Sequence, residues 1–217
     1  MLLGWHYNYY YRNAYAMNQY LANHGYIVLS VNYRSGIGYG MEFREALNYG
    51  ATGGSEFNDV MGAGIYMRNH LHDGSAANRI GGRLYGGYLT AMGSGACFPI
   101  FFAAGVDMHG VHDWNIAIRN FVPAYDPQAK PDAARLAFES IAARVDEDSG
   151  ARRCLLIHGD DDRNVPFSET VHLAEALRNQ GVEFEQLIFP DEIHDFLNTR
   201  RLAAGLSREC GFSRPLT

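Results

Sequence analysis

Three stretches of the chain hold residue types that could do chemistry together. HGDDDRNVPF, residues 158 to 167, follows directly on the apolar run CLLI at 154 to 157. DEIHDF, residues 191 to 196, follows IFP at 188 to 190 and so places His194 just past a second apolar run. An acid loop and a later histidine loop on neighbouring strands are the second and third members of a nucleophile-acid-base relay. In such a relay the acid fixes the imidazole tautomer and the imidazole takes the nucleophile's proton. The third stretch, YGGY at 85 to 88, has the glycines that a sharp turn from strand into helix requires. Each stretch also has a plainer reading. Asp160, Asp161 and Asp162 suit a solvated turn, because aspartate hydrogen-bonds its own backbone. A lone histidine is more often a surface or satisfied residue than a base.

These loops can meet only if the strands before them lie side by side. Apolar runs of strand length alternate with helical patterns, the signature of a mostly parallel sheet with helices on both faces, so the expected fold class is α/β. Strands are expected at 26 to 32 (YIVLSVN), around 79 to 84, at 100 to 106, at 154 to 158 and at 185 to 189. One helix, with Tyr15, Asn18, Leu21 and Ala22 on a face, should stop at Gly25. A second should run from about Glu56 to His70 with Val60, Ile65 and Met67 apolar, and a third should start near Gly86. A fourth spans Ser168 to Asn179, with Leu173, Ala176 and Leu177 inward and Gly181 as the stop. In an open parallel sheet the carboxyl ends of the strands form the ligand crevice, and all three stretches fall there. Residues 111 to 150, with Pro123, Pro127 and Pro131, read as an excursion over the top of the sheet, and 198 to 217 shows no amphipathic period.

With 47% hydrophobic and 19% charged side chains, 217 residues supply one buried core and exclude disorder and fibrous repeats. A net charge of -6 and a pI near 5.8 leave no basic surface for nucleic-acid phosphates or anionic lipid, so neither is an expected partner. Lys130 is the sole lysine beside a full complement of arginines, a bias expected of GC-rich coding DNA. Cys97, Cys154 and Cys210 are odd in number and far apart, which indicates neither a disulfide framework nor a structural zinc. Together with an opening, MLLGWHYNYYYR, that lacks signal-peptide character, this predicts a cytoplasmic protein. The uncharged stretch 85 to 106 could span a bilayer by length alone, but its glycines, Ser94, Thr90 and Pro99 make it only weakly apolar, and no membrane span is expected. His109, His112, Asp113 and His158 match no strong ligand spacing, so no metal or other cofactor is expected. Tyr7, Tyr9, Tyr10, Tyr11, Tyr15 and Tyr20 should pack core and loops that support a cleft. Arg34, Arg44, Glu56 and Asp59 read as structural ion pairs and caps.

Five motifs then carry a resemblance. NYRSGIGYG (32 to 40), RIG with YGGYLTAM (79 to 92), AAGVDMHGVHDW (103 to 114), LLIHGDDDRNVPF (155 to 167) and FPDEIHDF (189 to 196) occur in the order found in the prolyl oligopeptidase family of serine peptidases. The chain closely resembles that family's catalytic domain over about residues 1 to 197, and the nearest group is similar to the bacterial dipeptidyl and acylaminoacyl peptidases. The resemblance implies an alpha/beta-hydrolase fold, hydrolysis of short peptides through an acyl-enzyme, an acid at Asp162 within D-x-x-V-P, and a base at His194.

The elbow departs from the family's G-x-S-Y-G-G-Y. Here Gly82-Arg83-Leu84-Tyr85-Gly86-Gly87-Tyr88 puts Leu84 in the serine slot, two residues short after RIG. Leucine can be neither deprotonated nor acylated, and triad enzymes without their nucleophile lose about six orders of magnitude in turnover. Ser94 is at the wrong offset, and Ser55 reads as a helix cap. By resemblance Tyr85 supplies one oxyanion-hole N–H, while the family's His-Gly-Gly-Pro loop and the strand before it would precede Met1. The expectation is a single partial domain over 1 to 217, incomplete at its amino-terminal side, with 198 to 217 poorly matched. A missing middle strand would leave a gap whose flanking backbone groups need new partners. The functional expectation is a serine peptidase by family, inactive as written. The alternatives are a non-catalytic homologue that at most binds peptides or partner subunits, and a metal-assisted hydrolase. Oligomeric state stays open.

Overall fold

In the computed structural model, which describes residues 1–10, 15–47, 54–70, 78–95, 102–113, 153–179 and 181–197, four parallel strands pair in the order β1-β2-β3-β4. They are β1 (Arg79–Arg83), β2 (Ala104–Met108), β3 (Arg153–Gly159) and β4 (Phe184–Phe189). Val106 stands in register with Gly81 and Leu155, and Leu156 with Gln186. The helices are α1 (Ala16–Asn23), α2 (Met41–Arg44), α3 (Gly54–His70), α4 (Tyr85–Gly95) and α5 (Ser168–Asn179). The α/β class and the parallel sheet agree with the sequence pattern.

Strand β3 shows why this sequence takes this form. A strand covered on both faces must be apolar on both, so it reads as a continuous run rather than an alternation. Cys154 and Leu156 pack with Ala91 of α4 and with Leu173, Ala174 and Leu177 of α5. Leu155 and Ile157, pointing the other way, pack with Met108, Phe189 and Phe196, and Met17 of α1 covers them. A third cluster joins Ile80 of β1 to Tyr85, Tyr88 and Leu89 of α4, Val60 of α3, and Leu2, Leu3 and Tyr33. Both α1 and α5 stop as expected, at Gly25 and Gly181 with φ of 86° and 69°.

The segment 26 to 32 departs from expectation. It forms no full strand, and only Val31 makes a bridge, to Leu2, which in turn bridges Gly82. Leu2 thus lies between that segment and β1, where the resemblance predicted a gap. The Leu2 N–H donates to Gly81 O at 3.0 Å, Val31 N–H to Met1 O at 3.0 Å, and the Met1 amino group to Leu29 O at 2.7 Å. Leaving such groups bare and buried would cost about 1–3 kcal/mol each, and the apolar side chains of Leu2 and Leu3 are themselves buried here.

Smaller differences have equally local causes. In α3 the buried residues are Ser55, Glu56, Val60 and Gly64, the last three each one turn apart, and the apolar Ile65 is exposed. In α5 Ala174 rather than Ala176 is buried. Strand β2 begins at Ala104, later than expected, and the short α2 has no clear sequence signal. Most of the expected excursion, 114 to 150, and the tail 198 to 217 lie outside the described residues. Among the described residues no helix is long and apolar enough to cross a membrane.

Candidate active site

One residue, Leu84, separates the end of β1 from the start of α4. Its φ of +55° lies in the left-handed region, which costs a bulky L-residue on the order of 1–2 kcal/mol. Neighbouring backbone holds it there. The Leu84 N–H donates to Met108 O at 3.0 Å, and its carbonyl accepts from Tyr88 N–H at 3.1 Å and Val111 N–H at 3.3 Å. A Cβ on Gly82 would come within 2.7 Å of the Gly86 carbonyl, so α4 can turn back this closely on β1 only over a glycine. The elbow expected from YGGY is therefore present, with Leu84 at its apex. Tyr85, the expected oxyanion donor, directs its N–H at Gly4 O, 3.0 Å away.

The acid loop leaves β3 with Asp160 and Asp161 exposed and Asp162 buried. Asp162 Oδ1 accepts N–H bonds from Asn164 at 2.8 Å and Val165 at 2.9 Å. Asp162 Oδ2 lies 2.7 Å from His194 Nδ1 and 3.3 Å from His158 Nε2. Burial alone would raise the carboxyl's pKa, but hydrogen bonds from His158, His194 and the Val165 N–H hold it well below the usual carboxylate range. An ionised Asp162 therefore orients the His194 ring through Nδ1. His158 is fixed in turn by Thr170 Oγ1, 2.7 Å from its Nδ1. The two loops are tied by Asp191 N–H donating to Asp160 Oδ1 at 2.7 Å and Asp161 N–H to Glu192 O at 3.2 Å.

A third loop, after β2, adds His109, whose ring centroid is 4.1 Å from that of His194 and 5.3 Å from that of Phe196. His109 is only 1% exposed, and neither ring nitrogen has a partner among the described residues. Burial, then His194 and Arg83, lower its pKa to about 2, which leaves the imidazole neutral. The sequence grouped His109 with His112, Asp113 and His158. The fold gives them different partners: His112 Nε2 binds Asp107 Oδ2 at 2.7 Å, while His158, its ring centroid 5.9 Å from that of His109, serves Asp162. The set brought together is instead His109, Asp162 and His194, one ligand atom from each lying within 4.8 Å of the others. The position of His109 immediately after an apolar run was the available signal. Leu84, His109, Asp191 and Phe196 all have positive φ at these strand ends, a concentration of backbone strain typical of functional loops.

Beside the elbow lies a cleft of about 350 Å³, lined by Tyr9, Tyr10, Tyr15, Arg83, His109 and Phe196 among others. Three of the clustered tyrosines thus support the cleft as expected, while Tyr7 is exposed, Tyr20 packs on His24, and Tyr11 lies outside the described residues. Arg83 pairs with Asp195 at 2.6 Å across its rim. Away from the cleft, Arg34 and Asp59 form an ion pair at 2.9 Å, while Arg44 pairs with Glu45 at 2.8 Å. Ser55 lies in the first turn of α3, its hydroxyl donating to Glu56 Oε2 at 3.0 Å.

With this geometry in view, the relatives are informative. The sequence profile of the Prolyl oligopeptidase family matches residues 13–214. Dipeptidyl aminopeptidase BIII of Pseudoxanthomonas mexicana is 31% identical over 192 residues, covering 82% of this chain and 27% of the relative. Acylamino-acid-releasing enzyme 1 of Oryza sativa subsp. japonica is 28% identical over 192 residues, covering 81% and 24%. Among solved structures, Porphyromonas gingivalis dipeptidyl peptidase 4 superposes with a TM-score of 0.77 at 25% identity, covering 95% of this chain and 29% of that one. The chain thus spans roughly a quarter of the length of the curated relatives it matches. The fold is that of the alpha/beta-hydrolase peptidases, and the chain belongs to the prolyl oligopeptidase family.

Proposed function

We propose that the chain forms part of a serine-peptidase catalytic domain in which Asp162 orients His194 as general base, while Leu84 occupies the place of the nucleophile. As written it holds short peptides without hydrolysing them. The observation that carries this reading is Leu84 at the strained apex of an intact elbow, in a sheet whose later strand ends bear an assembled carboxylate–imidazole pair at 2.7 Å. In the family's chemistry the base would take a hydroxyl proton and the hydroxyl oxygen would attack the scissile carbonyl. The leucine side chain offers neither proton nor lone pair. The Tyr85 N–H, engaged by Gly4 O, supports the same reading, since an oxyanion would have to displace that carbonyl.

Short peptides are the proposed ligands, and the aromatic cleft beside the elbow is where they would lie. The free, buried Cys154 suits a reducing cytoplasm, which we propose as the compartment. The test is release of a chromogenic amine from dipeptidyl and N-acyl-aminoacyl substrates. No release above that of the His194→Ala variant is expected. Release by the chain as written that His194→Ala abolishes would overturn the proposal.

A further inference from the structure

We propose that His109, Asp162 and His194 form a binding site for a divalent transition-metal ion of the zinc class. Two imidazoles and one carboxylate make the donor set that zinc takes in open, three-ligand sites. One atom from each residue already lies within 4.8 Å of the others, so closure onto a common ion, with zinc-ligand bonds of about 2.0–2.2 Å, requires His109 to draw in while Asp162 Oδ2 and His194 Nδ1, now 2.7 Å apart, part to admit the ion. The imidazole planes of His109 and His194, now inclined at 32°, would turn so that their lone pairs converge.

The independent observation is His109 itself. A buried imidazole ordinarily finds a partner for each ring nitrogen, yet both nitrogens of His109 are without one among the described residues. A metal bond is one way to satisfy such an atom. The ring nitrogens of His112 also lack a hydrogen-bond partner among the described residues, but its Nε2 has a carboxylate oxygen of Asp107 at ion-pair distance, 2.7 Å away, which His109 does not. The surroundings of the other ligands resemble those of a supported site. Asp162 Oδ1 is fixed by two backbone N–H groups and Oδ2 by His158, partners of the kind that orient ligating carboxylates. His109 also lines the cleft, which supplies an entry path and room for water in the open position. Arg83, the cation nearest this wall, is paired with Asp195. Occupancy would replace the contact between Asp162 and His194 by a shared ion, and the two could not serve as an acid-base pair at the same time.

The experiment is calorimetric titration of the purified chain with Zn2+, repeated with Co2+ to read ligand-field absorption. One ion per chain is expected, with Co2+ bands characteristic of mixed nitrogen and oxygen donors. His109→Phe, which preserves ring volume against Phe196, should weaken binding at least about 100-fold, beyond the 10–100-fold that supporting residues typically contribute. His70→Ala, at an exposed histidine, should leave binding unchanged. A matched thermal melt of His109→Phe shows that its fold is retained; if it does not fold, Asp162→Asn takes its place with the same expected loss. The proposal is overturned by the absence of stoichiometric binding, by binding that His109→Phe leaves intact, or by equal loss in His70→Ala. None of these outcomes depends on peptidase turnover, so the site can fail while the serine-peptidase reading stands, and the reverse.

Discussion

Replacing Leu84 by serine asks whether the apex of the elbow can present a hydroxyl to His194. The structure retains two relay members, with Asp162 Oδ2 at 2.7 Å from His194 Nδ1, and a turn whose φ of +55° is set by backbone rather than by the leucine side chain. Restoring a nucleophile recovers in principle about 10⁶ in turnover. One oxyanion donor is compromised, however: the Tyr85 N–H is engaged by Gly4 O. A lost donor costs about 10²–10³, which leaves a net gain of about 10³–10⁴-fold. Leu84→Ser should therefore react stoichiometrically with a fluorophosphonate probe, read by intact mass, while hydrolysing chromogenic peptides only feebly. The double variant with His194→Ala should not label. A folded Leu84→Ser that stays unlabelled, or labels equally without His194, would refute the geometry. A turnover gain of about 10⁵ or more would show that Gly4 O does not block the Tyr85 N–H.

Three further outcomes follow from the packing. Glu169 is buried, accepts N–H bonds from His112 and Asp113 at 2.9 and 2.6 Å, and has a pKa raised by burial from 4.5 to about 7. Because the folded chain holds this proton more tightly than the unfolded one, its contribution is full below pH 4.5 and is lost as pH rises through about 7. The span is about 3 kcal/mol, and Glu169→Gln should flatten that part of a stability-pH curve measured by urea denaturation. Gly82→Ala would drive a Cβ into the Gly86 backbone and should lower stability by about 1–3 kcal/mol, seen as a lower Tm. Leu156→Ala, at a fully covered position between α4 and α5, should cost about 2–5 kcal/mol in chemical denaturation.

What could be read from residues alone was whatever depended on local pattern and burial. The run CLLIH announced a doubly covered strand, and the two loops that follow β3 and β4 were placed correctly because parallel strands bring their carboxyl ends together. The distinction between Asp162 and its neighbours came from the family's D-x-x-V-P motif and coincides with burial of that residue alone among the three. Less legible was anything decided by contact across the sheet. Nothing local tells that Met1 to Leu3 pair with both Val31 and Gly82, since three residues carry no periodicity. His109 was seen as a histidine among four polar candidates, and only the register of β2 beside β3 shows that its ring lies on His194 while His112 is taken by Asp107. The burial of Gly64 in α3 against Phe102 is illegible for a similar reason, because a glycine contributes no hydrophobic signal to a helical pattern.

The chain combines an assembled acid-base pair with an elbow that carries no nucleophile. Exposed to a fluorophosphonate probe and read by intact mass, the chain as written should keep an unmodified mass under conditions that label an active serine peptidase to completion. A stoichiometric adduct on any serine of this chain, lost in His194→Ala, would contradict it.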